Sequence, residues 1–430
     1  MSGYWKSVAT IISGAAGAQF VFFLSIPFLT RLYSPEIFGK YAELFSLASI
    51  FGMVVFLGLE RALPLVPHTF LSQFFKWLSN AFVGISLIVF FFYGLYLFLD
   101  GSFSLLKCIL FYLLIVGVGL LNLSSYVVVR TEAFKLEAGA RVAQSIMMVL
   151  LQFVAAFIAK SSLILMSVDA FSRLSTGIYI LVRRVSHLLA CDNSRLKEKN
   201  SSLKGARITP ECQRFCLSDY KLFYTYGLFS TLLVVSASNL PVFLTSLVFS
   251  PSIAATFFLA LRLSTVPITL IGTSIGKVYF SEASKNISNP WRVRELFIQN
   301  LRNLSLLFIC VVTPGILIGC HILPFLFDSE WAPAVDYLLV LLPMMFFQFV
   351  VSPLSLTVTI FKRQQYDAIF SIVRLFFIVV PFASSHFFDA DFLICLHLLV
   401  FLSSLSYGLF GFSCWKVINN ECKKSVEAVI

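Results

Sequence analysis

Three arginines, Arg173, Arg262 and Arg374, lie inside long apolar stretches of the 430-residue sequence. A guanidinium near the bilayer centre costs about 2.5 to 3.5 kcal/mol even on a lenient insertion scale, so each should face a partner or a wet cavity. Arg262 and Arg374 have no acidic residue three or four positions away. Because a guanidinium offers a fork of donors that matches a phosphate, these two predict the binding of an anionic cargo. Pairing with backbone carbonyl groups or with Asp169 is the structural alternative.

Arg173 differs from the other two because it has an acid at helical spacing. Asp169 lies four positions before it, and an acid on the amino-terminal side of a base favours an ion pair on one helix face. We therefore predict that Asp169 and Arg173 pair. Such a pair serves either the structure or gating and ion coupling, and both interpretations stay open.

Other patterns that resemble chemical sites are weaker. His187, Cys191, Cys212 and Cys216 form two pairs spaced by four, which on helices could ligate zinc. We favour the alternative that they belong to a solvated basic linker, and we expect neither a metal nor a cofactor. Residues 272–278 look like a phosphate loop, but they have one residue too few between the glycines and no hydroxyl after the lysine. We therefore expect no ATPase.

The composition indicates what kind of structure positions these side chains. Hydrophobic residues make up 59% of the chain and charged residues 12%, and the mean hydropathy is +0.90. A soluble particle of this size needs more polar surface, so the sequence predicts an all-α membrane protein with the bilayer as its solvent. The formal net charge of +11 comes without a basic-aromatic platform or a recognised motif, so we expect no nucleic acid as partner.

Apolar runs of about 20 residues, the length that crosses the hydrocarbon core, predict about twelve transmembrane helices. The first continues to residue 30, which favours an uncleaved helix over a signal peptide. The predicted ranges are 7–30, 38–60, 77–99, 105–129, 142–159, 161–182, 222–249, 252–280, 301–327, 334–361, 366–387 and 392–417.

A repeat divides these helices into two similar halves. Residues 28–37, FLTRLYSPEI, recur as FLTSLVFSPSI at residues 243–253. Each copy predicts a helix, a tight Ser-Pro turn and a second helix. The sequence thus predicts two pseudo-repeated six-helix bundles, an architecture typical of membrane transporters. The predicted division is a first bundle at 1–182, a basic cytoplasmic linker at 183–220, a second bundle at 221–417 and a cytoplasmic tail at 418–430.

Positive charge is distributed unevenly among the connections between helices. Of the 32 Lys and Arg residues, only Arg31, Lys40, Lys107 and Lys160 fall in outer connections, apart from the three arginines inside helices. The positive-inside rule therefore predicts that both termini and the linker are cytoplasmic. The acidic connection at residues 328–336 is then external.

Four short segments carry a resemblance to a known family. LALRLSTVPITLIG at 259–272 and VYFSEAS at 278–284 resemble the eighth helix of bacterial polysaccharide-biosynthesis membrane proteins, the oligosaccharide flippases of the O-antigen (Wzx) type. LTRLYSPEIFGKY at 29–41 is similar to the family's first turn, and GLERA at 58–62 to the end of its second helix. The resemblance covers the whole chain in the number and order of helices.

The resemblance implies a MATE-like fold, shared with multidrug-extrusion transporters and the peptidoglycan lipid flippase, around a cavity that opens alternately to each side. The implied cargo is an undecaprenyl-diphosphate-linked oligosaccharide, the repeat unit of O-antigen or another surface polysaccharide, moved across the bacterial inner membrane. Arg31, Arg262 and Arg374 would hold the diphosphate, and Glu60 with Arg61 would belong to the inner gate. A polysaccharide polymerase and a chain-length regulator are the implied protein partners. No covalent chemistry is required.

Two other functions stay open. A cation or drug antiporter on the same fold would need an acid facing the cavity, for which Glu43 and Asp169 are the candidates. An enzyme that polymerises or acylates lipid-linked sugars is disfavoured, because its chemistry would be expected on a sizeable loop and the outer connections are short. The repeat is also asymmetric, since Ser246 stands where the first half has Arg31. Only one half therefore offers that arginine.

Overall fold

The computed structural model describes residues 2–99, 101, 103–202, 223–361, 363 and 365–427, and regular structure in these ranges is helical, with no strand. The first half holds α1 Ser2–Leu32, α2 Pro35–Gly52, α3 Leu71–Leu99, α4 Leu105–Thr131, α5 Phe134–Ile158 and α6 Ser162–Ser202. The second half holds α7 Leu228–Val248, α8 Pro251–Pro267, α9 Thr273–Lys285, α10 Pro290–Leu307, α11 Thr313–Leu326, α12 Pro333–Val340, α13 Leu342–Leu354, α14 Leu356–Ile360, α15 Gln365–Phe388 and α16 Phe392–Glu427. The predicted all-α class is confirmed.

The helices have the length and surface of membrane spans. Within the described ranges, nine helices are long and apolar enough to cross a bilayer, and two shorter apolar helices, Ala16–Leu32 and Pro251–Pro267, lie in the first and eighth predicted spans. Helix α3 exposes large apolar side chains such as Phe91, Phe92 and Phe98. Such a surface would be costly in water and is stable in lipid. The chain is a multi-pass membrane protein.

The second predicted span is wrong beyond Gly52, where α2 ends. Leu57 and Gly58 then adopt left-handed backbone angles, with φ of 55° and 73°, and a 3₁₀ helix at Leu59–Leu65 follows. Gly52 also packs so tightly on α4 that an added Cβ would lie 2.6 Å from the Val118 Cβ. The apolar run continues through a turn that bends the backbone away from a straight span.

Proline and π-helical turns interrupt the later spans. The tenth predicted span, residues 334–361, is divided among α12, α13 and α14, and Pro343 lies in the first turn of α13, where its missing N–H costs nothing. Single π-helical turns occur at Phe223–Gly227, Ile268–Gly272 and Phe308–Val312. Such turns break the regular ladder of backbone hydrogen bonds and are frequent at functional sites.

The two copies of the Ser-Pro turn form as predicted and pack against each other. Two residues separate the end of α1 at Leu32 from the start of α2 at Pro35, and two separate the end of α7 at Val248 from the start of α8 at Pro251. Ser250 caps α8, because its Oγ accepts a hydrogen bond of 3.2 Å from the Ile253 N–H. Gly39 of α2 lies so close to the backbone of Pro251 that an added Cβ would overlap the Pro251 carbonyl. The repeated turns therefore meet through a glycine.

Contacts divide the chain into two compact units. Unit 1 contains Met1–Phe22 and Leu44–Val235, and unit 2 contains Phe23–Glu43 and Ser236–Ile430. Unit 2 thus takes the end of α1 and the start of α2 from the first half of the sequence. The division into bundles at residues 182 and 221 follows chain order and stays a prediction. Helix α6 extends to Ser202, so the first part of the predicted linker is helical.

Candidate functional site

The seven residues predicted to bind cargo or to form a gate fall into two groups. The three predicted cargo ligands, Arg31, Arg262 and Arg374, belong to unit 2. The predicted gate and coupling residues, Glu60, Arg61, Asp169 and Arg173, belong to unit 1.

Arg262 lies in the middle of α8 and is half-buried. Its guanidinium carbon is 4.8 Å from the centroid of the Phe258 ring, one helical turn earlier. A cation–π contact of this kind stabilises a partly desolvated charge without neutralising it. Phe258 in turn packs against Phe38 at a centroid distance of 6.0 Å, which fixes the ring beneath the arginine. The ring therefore helps to hold the guanidinium in place.

Arg374 has a similar environment that comes from a different helix. It is half-buried on α15, and its guanidinium carbon is 5.4 Å from the centroid of the Tyr407 ring on α16. Phe370, one turn before Arg374, packs on the same ring at 5.2 Å between centroids. The two apolar-segment arginines of unit 2 thus share a mode of stabilisation.

Arg31 is different, because it is exposed and lies in the last turn of α1. Its Nη2 donates a hydrogen bond of 3.4 Å to the carbonyl oxygen of Phe325 in α11. A cation at a helix C-terminus also interacts favourably with the helix dipole. Arg31 is consequently placed at the end of a span, whereas Arg262 lies within one.

A hydrogen bond between Glu43 and Ser246 was not predicted from the sequence. Ser246 Oγ on α7 donates to Glu43 Oε2 on α2, and the serine is 8% exposed. Ser246 occupies the position in the second repeat that Arg31 occupies in the first. This difference between the repeats was the sequence feature that could have indicated a separate contact at Ser246. The bond places a half-buried carboxyl group inside unit 2.

Glu60 is fully buried in the 3₁₀ helix that follows α2. Its Oε1 accepts a hydrogen bond of 3.1 Å from Asn122 Nδ2 on α4. In the part of the chain that the structure describes, its Oε2 and the buried Nε of Arg61 have no hydrogen-bond partner. A buried polar atom without a partner costs about 1 to 3 kcal/mol. The gating role predicted for Glu60 and Arg61 stays a prediction.

Hydrogen bonds from α4 hold the 3₁₀ helix that carries Glu60 and Arg61. Arg130 Nη1 donates to the carbonyl oxygen of Leu63 and, at 2.7 Å, to that of Val66. These carbonyls lie at the end of the 3₁₀ helix, where backbone acceptors lack partners in the helix itself. These contacts of Asn122 and Arg130 have no local sequence signal, because both residues lie more than sixty positions from the groups they contact.

Asp169 and Arg173 pair on α6 as predicted. Arg173 Nε donates to Asp169 Oδ1 at 2.8 Å, and the two side chains are 21% and 0% exposed. The guanidinium carbon of Arg173 also lies 4.9 Å from the centroid of the Phe45 ring. Gly117 of α4 brings the two helices together, since a Cβ there would lie 3.1 Å from the Arg173 Cβ. The structure therefore gives the pair a packing role, and its part in gating stays a prediction.

No group of three or more His, Cys, Asp or Glu side chains that could hold a metal ion occurs among the residues that the structure describes. The side chains of His187, Cys191, Cys212 and Cys216 fall outside that description.

Residues 202–336 match a protein family described as polysaccharide biosynthesis protein. No curated protein matches the sequence. The fold is similar to that of the Lipid II flippase MurJ in an inward closed conformation, with a TM-score of 0.63 and 15% identity over 98% of this chain and 90% of that one. It is also similar to a Vibrio cholerae MATE transporter, with a TM-score of 0.58 and 10% identity over 98% and 96% of the two chains. An inward-facing multidrug-resistance MATE transporter of the MOP superfamily gives a TM-score of 0.53 and 13% identity over 96% and 99%.

The matched residues include two of the four segments that carry the sequence resemblance, 259–272 and 278–284. The resemblance to polysaccharide-biosynthesis membrane proteins is therefore confirmed, and so is the MATE-like fold. These solved structures are named as transporters and flippases, and at 10% to 15% identity the likeness shows the fold.

Proposed function

We propose that this chain is a flippase that moves undecaprenyl-diphosphate-linked oligosaccharide repeat units across the bacterial cytoplasmic membrane by alternating access. The cargo serves the assembly of a surface polysaccharide, either O-antigen or capsule. The match of residues 202–336 to polysaccharide biosynthesis proteins carries this proposal. The similarity to the fold of a Lipid II flippase supports a lipid-linked cargo, because the name of that protein states one.

In this proposal the diphosphate of the cargo binds to Arg31, Arg262 and Arg374. All three belong to unit 2, and two of them are held over aromatic rings that stabilise the charge without cancelling it. Guanidinium groups bind phosphate oxygens in a bidentate manner, which gives both strength and orientation. The sugars would pass through the polar cavity while the polyprenyl chain stays in lipid.

In this proposal the gate residues act through buried polar atoms of unit 1 that lack hydrogen-bond partners in the described ranges. Glu60 and Arg61 lie on the 3₁₀ helix fastened to α4, and each has a buried polar atom without a partner in the described ranges. A moving segment or a proton can satisfy such atoms in one state of the cycle and leave them in another. Asp169 and Arg173 serve as a second gating or ion-coupling pair, which exchanges partners when α4 and α6 shift.

The proposed topology places both termini and residues 183–218 in the cytoplasm. The excess of Lys and Arg on that side supports it. A polysaccharide polymerase and a chain-length regulator would act on the external side of the membrane, where the repeat units emerge. The two six-helix bundles at 1–182 and 221–417 would be the parts that rock during transport.

Substitution of Arg262 tests the proposal most directly. In a deletion strain complemented with variants, Arg262→Ala should abolish surface polysaccharide while lipid-linked repeat units accumulate and the protein stays at its normal level. Loss of a charge-assisted contact of about 1.5 to 3 kcal/mol corresponds to a roughly 10- to 150-fold weaker cargo affinity. Arg262→Lys should keep partial activity, because a point charge attracts phosphate without the bidentate fork.

The matched control is Arg292→Ala on α10. Arg292 forms an exposed ion pair with Glu295 at 2.8 Å, so its removal should leave polysaccharide unchanged. Normal polysaccharide from a well-accumulated Arg262→Ala protein would refute cargo binding by this residue. Loss of protein in both Arg262 variants would instead assign Arg262 a structural role.

A cation or drug antiporter on the same fold is the second candidate, and Glu43 favours it. Of the two acids considered, Asp169 already pairs with Arg173, whereas Glu43 accepts its hydrogen bond from a neutral hydroxyl. If the chain is an antiporter, purified protein in proteoliposomes should exchange protons for a cationic dye, and Glu43→Gln should stop the exchange. Dye exchange together with normal polysaccharide in the deletion strain would replace the flippase proposal.

A further inference from the structure

A groove of about 440 Å³ lies within unit 1, between α5 and α6. None of the residues proposed to bind cargo or to form a gate lines it. Its polar walls come from Lys135 and Gln144 on α5 and from Ser175, Thr176 and Tyr179 on α6. Its volume falls in the range of small-molecule sites, about 300 to 1,000 Å³.

On both sides, the groove continues into an exposed apolar surface of the kind that contacts lipid. Ile146 and Leu150 extend the α5 side and are 43% and 60% exposed. Ile178 and Val182 extend the α6 side and are 49% and 66% exposed. The groove itself has apolar lining from Leu136, Ala140 and Met147. An occupant with an apolar chain can therefore enter sideways from the bilayer.

One end of the groove carries positive charge. Lys135 is exposed in the first turn of α5, where the helix dipole adds a partial positive charge. On α6, the guanidinium carbon of Arg183 lies 5.2 Å from the centroid of the Tyr179 ring.

Among the residues that the structure describes, no acid lines the groove, so carboxylates do not oppose this charge inside it. Glu137 lies nearby on α5, but its Oε1 accepts hydrogen bonds from Ser125 Oγ at 2.7 Å and from Arg141 Nη2 at 3.3 Å. The basic end of the groove is thus complementary to an anion. In the proposed topology this end faces the cytoplasm.

We propose that the groove binds a phospholipid of the cytoplasmic leaflet that has an anionic head group. The phosphate lies at Lys135, and one acyl chain follows the apolar lining along α5 towards Ile146 and Leu150. Charge complementarity at the basic end, and the exposed apolar side chains of Ile146 and Leu150 at the other end, select this occupant over a water-soluble anion. The site is separate from the proposed cargo site and depends only on the proposed orientation in the membrane.

Photo-crosslinking tests the assignment. The full-length protein in nanodiscs is exposed to a diazirine-labelled phosphatidylglycerol or to the matching phosphatidylcholine, and the labelled peptides are mapped. The phosphatidylglycerol probe should label residues 135–147 and 175–183 more strongly than the phosphatidylcholine probe does. Because a basic residue near an anionic surface contributes about a fivefold gain in binding, Lys135→Glu should lower that labelling by at least about fivefold.

A second variant fills the groove without changing its charge. An added Cβ at Gly139 meets nothing within 4 Å, so the side chain in Gly139→Leu enters open space and should exclude the lipid. Gly84→Leu on α3 is the matched control, since Gly84 also has nothing within 4 Å. It should leave the labelling of α5 and α6 unchanged.

Four results would overturn the assignment. Equal labelling by the two probes, or labelling that persists in both Lys135→Glu and Gly139→Leu, would mean that the groove has no head-group site. Displacement of the probe by inorganic phosphate would assign the groove to a free anion. Displacement by undecaprenyl diphosphate at concentrations where phosphatidylglycerol has no effect would assign it to the cargo.

Discussion

Removal of Arg173 tests whether its ion pair with Asp169 only stabilises the structure or also takes part in transport. Arg173→Met leaves Asp169 with no exposed surface and without the 2.8 Å hydrogen bond from Arg173 Nε. Asp169→Leu combined with Arg173→Met removes both charges and keeps most of the apolar volume between α4 and α6. The single variant therefore leaves the Asp169 carboxyl without Arg173 as its ion-pair partner, whereas the double variant removes both charges.

The expected magnitudes follow from burial. Loss of one partner of a buried pair costs about 3 to 5 kcal/mol, and since Arg173 is 21% exposed we expect the lower end, about 3 kcal/mol, for Arg173→Met. The double variant should lie within about 1 kcal/mol of the wild type, because a buried ion pair can be replaced by apolar residues at little cost.

An exposed ion pair is the matched control for these variants. Lys40 donates to Glu36 at 2.7 Å, which lowers the pKa of that carboxyl below its ordinary value, and both side chains are more than half exposed. Lys40→Met should leave the free energy of unfolding unchanged, since solvent screens such a pair.

Reversible unfolding in mixed micelles, titrated with SDS and followed by tryptophan fluorescence, gives the free energies. Surface polysaccharide is measured in parallel for each variant. If Arg173→Met is no less stable than Lys40→Met, the pair does not hold α6 in place and the reasoning from burial fails. If the double variant is stable and still exports polysaccharide, the gating role of Asp169 and Arg173 is refuted, whereas a stable but inactive double variant supports it.

Three further predictions concern topology, the cysteines and the repeated turn. In an otherwise cysteine-free protein in intact cells, an impermeant thiol reagent should label Ser329→Cys but not Ser202→Cys, and the reverse pattern would invert the proposed orientation. Cys191→Ser and Cys212→Ser should leave polysaccharide unchanged, whereas stoichiometric zinc that is lost in either variant would contradict this. Gly39→Ala should lower the level of folded protein by overpacking worth about 1 to 3 kcal/mol, and an unchanged level would mean that α2 can move away from α8.

The long spans and the repeat were predictable because both depend on local composition. An apolar run must be covered by lipid or protein wherever it lies, so its length alone predicts a span. The point at which the backbone turns inside such a run is not encoded in apolarity. Helix α2 ends at Gly52 and the chain passes through left-handed angles at Leu57 and Gly58, although the residues between them are almost all apolar. The predicted helix to residue 60 failed for this reason.

Partners of charged residues were predictable only where they lie on the same helix. The pairing of Asp169 with Arg173 follows from their spacing. Phe258 lies at the same spacing before Arg262, and this cation–π partner was missed because only acidic neighbours were considered. Tyr407, the partner of Arg374, lies on another helix and has no signal in one sequence.

The two copies of the repeated turn differ at Arg31 and Ser246, and this difference affects how easily the helices of unit 2 can separate. In the first copy of the turn, Arg31 donates to a backbone carbonyl of α11. In the second copy, Ser246 donates to the Glu43 carboxyl and so joins α7 to α2. An arginine at position 246 would form a charge-assisted pair with Glu43 worth about 1.5 to 3 kcal/mol, whereas a typical hydrogen bond from a neutral hydroxyl contributes about 0.5 to 1.5 kcal/mol. Helices joined by the weaker bond can separate at a cost that binding of a cargo can offset. If the proposed alternating access is correct, serine at position 246 therefore favours movement of α7 relative to α2. Of the two equivalent positions in the repeat, only Arg31 then carries a charge that can bind an anion.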